Sequence, residues 1–134
     1  MKDLEGFKPR VEALDFEADM KANFINKDRD MVTLKYGEEV ICIAGINHLR
    51  IGVAEAWLIP SDSINKCKFA FFKTIKRLVD YVNYNMEIHR FILAIDCSWM
   101  GGDRWARALG FKFESIAKAY DFNRQDHAIY TRIV

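Results

Sequence analysis

Glu55 stands mid-way along an alternating run, residues 53–59, with apolar neighbours on both sides. In a strand, Val53, Glu55, Trp57 and Ile59 share one face, and Ala54, Ala56 and Leu58 share the other. A carboxylate so placed is turned to solvent, paired (Arg50 or a lysine), or used to move a proton. Lys66 and Lys68 open a long helical segment, where a cation opposes the helix dipole. They are either a solvated first turn or they face an anion. His48, His89 and His127 show no metal-ligand spacing and no readable triad partner. Cys42, Cys67 and Cys97 are odd in number and widely spaced, so no disulfide framework and no metal site is legible. They read as reduced thiols.

These residues need a scaffold, and 134 residues suffice for one domain with a single core. A net charge of +1 gives no electrostatic case for nucleic acid or a membrane surface. No apolar run approaches the ~20 residues that span a bilayer. The N-terminus, Met1-Lys2-Asp3-Leu4-Glu5, lacks an apolar signal region, so a cytoplasmic protein is expected.

The elements follow from periodicity. Pro9 suits the first turn of a helix reaching about Asn23. Residues 31–36 alternate, Gly37-Glu38-Glu39 signals a turn, and residues 40–46 are β-branched and apolar, which predicts a hairpin. Residues 47–50 read as a loop into the strand 53–59. Pro60 ends that strand, and Ser61, Asp62 and Ser63 are capping types. Residues 67–85 hold no Gly or Pro and place Phe71, Phe72, Ile75, Leu78, Val79 and Val82 on one helical stripe. Phe69 and Tyr84 fall outside it. Residues 91–95 are continuously apolar, as in a strand covered on both faces. Gly101-Gly102 is a loop flanked by Trp99 and Trp105, and Asp103 is positioned to cap a helix ending at Leu109-Gly110. Residues 113–122 and 128–134 read as a terminal hairpin. The expected class is α/β (a mixed α+β sheet), mostly antiparallel, with a central parallel strand pair and helices on both faces.

The order β-α-β-α-β-β and the Leu109-Gly110-Phe111 ending of the second helix resemble the closing half of the GNAT (GCN5-related N-acetyltransferase) fold. The resemblance covers roughly residues 32–134. It implies acetyl-CoA as cofactor and acyl transfer to an amine-bearing acceptor. It implies that strands 53–59 and 91–95 run parallel and splay to take pantetheine, held by Leu58 and Ile59, with Asp96 lining the cofactor side. Glu55 would be the base, Lys66 and Lys68 would face phosphate, and Trp57 and His127 would line the acceptor site.

Two departures from the pattern stand out. The family loop Arg/Gln-x-x-Gly-x-Gly/Ala is replaced by residues 61–70, which contain no glycine, and Asp62 would repel a phosphate. The family's acid Tyr, four residues before the Gly of Gly-Phe, is Ala106. Tyr120 or Tyr130 would have to substitute, and each also reads as an ordinary strand aromatic. Brevity, a reduced N-terminus and the weak cofactor motif resemble small phage-encoded members, including a small internal virion protein of short-tailed phages. That implies an alternative: a noncatalytic component whose partners are other virion proteins.

Overall fold

The computed structural model describes residues 20–26 and 30–134. Seven strands form one sheet: β1 (Met20–Asn26), β2 (Met31–Tyr36), β3 (Glu39–Arg50), β4 (Val53–Pro60), β5 (Arg90–Asp96), β6 (Lys112–Ala117) and β7 (His127–Ile133). The spatial order is β1-β2-β3-β4-β5-β7-β6, and every neighbouring pair is antiparallel except β4 with β5. A 3-10 turn (Asp62–Lys66) leads into α1 (Lys68–Asn85), and α2 (Gly102–Ala108) joins β5 to β6. None of the described helices is long and apolar enough to cross a membrane.

Alternation builds the sheet. Val32 and Leu34 of β2 point into the core, as do Ala54 of β4, Phe91 and Ile95 of β5 and Tyr130 of β7. A bulge shifts the β2–β3 register between Leu34 and Lys35, so the consecutive Ile41 and Cys42 are both buried. Tight turns rely on glycine at Gly37 (φ +63°) and Gly52 (φ +78°). The Gly52 carbonyl accepts from the backbone N–H groups of His89 (3.0 Å) and Arg90 (3.1 Å), which docks the β3–β4 turn against the start of β5.

α1 buries Phe71, Ile75, Val79 and Val82 as the stripe predicts, and leaves Phe69 and Tyr84 exposed. Its buried Asn83 donates to the Ile88 carbonyl (2.8 Å), fixing the path into β5. α2 ends where Gly110 (φ +93°) lets the Phe111 N–H reach back to the Ala106 carbonyl at 3.0 Å. Ala106, Leu109 and Phe111 are buried there, and Phe71 stacks on Trp105 at 6.5 Å. Both helices therefore pack on one face of the sheet. Among the described residues the opposite face, with Glu55 and Trp57, carries no helix.

Other expectations need correction. The helix read over residues 9–23 lies outside the described residues except for its end, and Met20–Asn26 is a strand. Residues 47–50 are strand, not loop, because β3 keeps its ladder with β4 as far as Arg50. His48 is held there by Asp30 (2.6 Å). β5 buries Phe91 and Ile95 on one face and leaves Ile92 and Ala94 half-buried on the other. Asp103 does not cap α2, whose N-cap is Gly101 and which has no side-chain cap bond. Its carboxylate instead takes the Tyr130 hydroxyl (2.8 Å) and Arg107 (2.9 Å). The penultimate strand stops at Ala117, so Tyr120 sits in the β6–β7 connection.

Candidate active site

β4 and β5 pair only from Val53↔Arg90 to Ala56↔Leu93. Beyond that point β4 stays with β3 as far as Pro60, and β5 stays with β7 as far as Asp96. The two inner strands diverge because each follows its antiparallel partner. A cleft of about 770 Å³ opens between them. Leu58 and Trp57 line it from β4, Asp96 from β5, Asn65 and Lys68 from the helix start, and Trp99 from the β5–α2 loop. Trp99 is half-exposed and packs on Trp105 at 5.6 Å, so it forms a wall rather than a plug.

The floor of the cleft is the start of α1. Ser61 accepts from the Ser63 N–H (3.3 Å) and begins the 3-10 turn, but no side chain caps α1 at Cys67. An uncapped helix N-terminus presents unsatisfied N–H groups, which suit an anion. Lys68 stands beside it. Lys66 does not, because its ammonium pairs with both oxygens of Glu39 (3.0 and 3.3 Å) on β3. Ile59 does not line the cleft either; it is 61% exposed on the opposite face. Asp96 lines the cleft but spends Oδ1 on the Ser98 N–H (2.9 Å) and hydroxyl (2.8 Å), which hold its carboxyl below the usual range. The open uncapped helix start and the Lys68 ammonium fit a phosphate without any glycine loop.

On the opposite face the sheet brings Glu55, Tyr120 and His127 together. The Tyr120 hydroxyl donates to Glu55 Oε2. That bond, with partial burial, pushes the phenol up to about 12. The Tyr120 ring lies on the His127 ring with centroids 4.9 Å apart. His127 Nε2 meets Asp121 Oδ2 at 3.0 Å, and Asp121 Oδ1 accepts the Gln125 N–H at 2.9 Å. These bonds, the Gln125 N–H foremost, hold the Asp121 carboxyl below its usual range. Asp96, opposite His127 in the β5–β7 register, completes a cluster in which one atom each of Asp96, Asp121 and His127 lie within 4.8 Å of one another. The sequence does not single out Asp121; its one signal is the turn-rich stretch that follows it.

Among the described residues Glu55 is thus paired with Tyr120, and with neither Arg50 nor a lysine. Tyr130 is elsewhere: buried on the helix face, it gives its hydroxyl to Asp103, and burial first, then that bond, push it up to about 12.

A seven-stranded sheet with one parallel pair that splays over an uncapped helix start is a distinctive arrangement. Solved structures share the fold. One is a RimL ribosomal L7/L12 alpha-N-protein acetyltransferase in complex with coenzyme A, at TM-score 0.67 and 17% identity, covering 78% of this chain and 61% of that one. The fold is the GNAT acetyltransferase fold. A GNAT-family acetyltransferase from Bacillus anthracis matches at TM-score 0.66 and 15% identity, covering 81% of this chain and 68% of that one. The ribosomal-protein-S5-alanine acetyltransferase from Vibrio fischeri matches at TM-score 0.66 and 18% identity, covering 96% of this chain and 71% of that one. This chain spans about three fifths of the length of the RimL chain. No family model matches the sequence, and no curated protein matches it.

Proposed function

We propose that the protein is an acyl-CoA-dependent N-acyltransferase. The observation that carries the reading is the open splay between Ala56–Leu93 and the ends of β4 and β5, with a cleft on one side and a carboxylate on the other. Leu58 and the unpaired strand edges would hold the pantetheine arm, and Lys68 with the α1 start would meet phosphate. Acyl-CoA, when bound, supplies the acyl group as a thioester. The acceptor is an amine that enters on the Glu55 face, beside Trp57 and His127.

Glu55 takes the proton that the amine nitrogen sheds as its bond to the acyl carbon forms and the carbon–sulfur bond breaks. Its Oε2 is held by Tyr120, so Oε1 is the oxygen presented to the amine. Tyr120 serves as an orienting group and not as the acid. A phenol held at about 12 is a poor proton donor to a thiolate, whose own pKa lies near 8.5. Tyr120 would therefore not protonate the leaving thiol, whose proton would come from water.

Calorimetry with acetyl-CoA, with desulfo-CoA as control, tests the reading. Binding with a micromolar Kd, about −8 kcal/mol, is expected. No binding at millimolar cofactor would overturn it and would favour a noncatalytic, GNAT-shaped component. The Gly-free loop, a feature that resembles small phage-encoded members, would then point to virion proteins as partners.

A further inference from the structure

We infer that His127 and Asp121 form a positioning pair that sets the Tyr120 ring, and through it the free oxygen of Glu55. The inference rests on the acyltransferase reading for its catalytic consequence and on geometry alone for the arrangement itself.

Tyr120 is not placed by a strand. It sits in the β6–β7 connection, which reverses through two left-handed residues, Ala119 (φ +49°) and Arg124 (φ +60°). Such backbone is strained for residues with a Cβ and persists only where the surroundings fix it. The fixing bonds come from two carboxylates. Asp126 Oδ1 accepts the Ala119 N–H at 2.9 Å, and Asp121 Oδ1 accepts the Gln125 N–H at 2.9 Å. These set the backbone of the connection, but not the side chain of Tyr120, which is 43% exposed. The ring is set by the His127 imidazole beneath it.

The imidazole is itself fixed. Asp121 Oδ2 is an acceptor only, so Nε2 carries the proton and donates. Nδ1 is buried and meets no partner among the described residues, which suits a lone pair better than an N–H. The ring therefore has one tautomer and one orientation. The chain of contact runs Asp121, His127, Tyr120, Glu55. The charged group that acts on the phenol is Glu55; Asp96 of β5 lies beside Asp121 and His127, and Lys118 pairs with Asp126 (3.5 Å) at the base of the connection.

The test uses the full chain labelled with [13C-ζ]tyrosine, the Tyr120 resonance being assigned with Tyr120→Phe. In the unsubstituted protein Tyr120 should titrate near 12. In His127→Ala it should fall by about one pH unit or more, a tenfold loss of proton affinity, as the ring drifts from Glu55. His127→Phe, which keeps a ring beneath Tyr120, should recover part of the shift. Asp121→Asn should give a smaller fall, and it serves as the second variant if His127→Ala does not fold. A Tyr120 titration unchanged in folded His127→Ala and Asp121→Asn would overturn the inference. Cofactor binding by the unsubstituted protein is read separately, so loss of the acyltransferase reading would leave this result standing.

Discussion

Tyr120 and Glu55, 65 residues apart in the chain, are joined by a hydrogen bond from the phenol to the carboxylate. The bond spans the sheet from the β6–β7 connection to the middle of β4. It occupies one oxygen of the carboxylate and leaves the other for a substrate. Glu55→Gln should therefore lower acyl transfer by about 10²- to 10⁴-fold while leaving CoA affinity within about twofold. Paired calorimetry and steady-state rates check this; a comparable loss in both would mean that Glu55 holds the cleft together instead.

The same bond makes stability depend on pH. The folded phenol binds its proton more tightly than the unfolded one, whose pKa is 10.0, so the stabilisation is complete below about 10 and disappears as pH rises through about 12. Tyr130 is raised to the same range and contributes with the same sign. Melting curves between pH 9 and 12 should show a steep fall in Tm that is shallower in both Tyr120→Phe and Tyr130→Phe. An unchanged slope in either variant would remove that tyrosine from the account.

Lys68 and Lys66 should separate sharply. Lys68 lines the cleft, whereas Lys66 is bound to Glu39. Lys68→Ala should weaken CoA binding about fivefold, roughly 1 kcal/mol, with a smaller salt dependence. Lys66→Ala should change it less than twofold. Titrations at two salt concentrations distinguish the pair, and equal effects would mean that phosphate lies nearer the 3-10 turn.

Gly45 stands opposite Trp57 in the β3–β4 register. A Cβ there would come within 2.5 Å of the indole and 3.0 Å of the Asp30 carbonyl. The indole is a rigid plane, so Gly45→Ala should push it toward the cleft. Urea denaturation should show a loss of about 1–3 kcal/mol. CoA affinity should fall with it; unchanged affinity would show that Trp57 moves away from the cofactor side.

Much of this architecture is legible locally. The alternation around Glu55 and the stripe through Phe71, Ile75 and Val79 are set by short-range periodicity, and β4 and α1 follow from them. The parallel pairing of β4 with β5 follows from the strand–helix–strand order and its right-handed crossover, and the resemblance to the GNAT closing half agrees with it. Features that depend on partners far along the chain were not readable. Asn47-His48 reads as a loop because both residues are polar, yet β4 and Asp30 hold it in a strand. Lys66 and Lys68 look equivalent until Glu39, 27 residues away, captures one of them. Tyr120 reads as strand because nothing in Ala119 announces a left-handed residue. Asp121 is invisible for the same reason: its importance lies in His127 and Gln125, which only the folded turn brings to it.

The parallel ladder from Val53↔Arg90 to Ala56↔Leu93 also bears on how the chain assembles. On one side of it lies a meander, β1 to β4, whose strands follow one another directly in the chain; on the other lies β5 with the β6–β7 hairpin. The ladder joins residues 37 apart, across the whole of α1, so closing that loop carries an entropic penalty that adjacent hairpins escape. β5 meets a similar penalty in reaching β7, from Asp96↔His127 to Arg90↔Ile133, so the β1–β4 meander is expected to order first and β5 to join it later, through a seam only four pairs long. The gap that would admit a ligand is the unfinished end of that seam, so the cleft exists only once β5 has joined the meander.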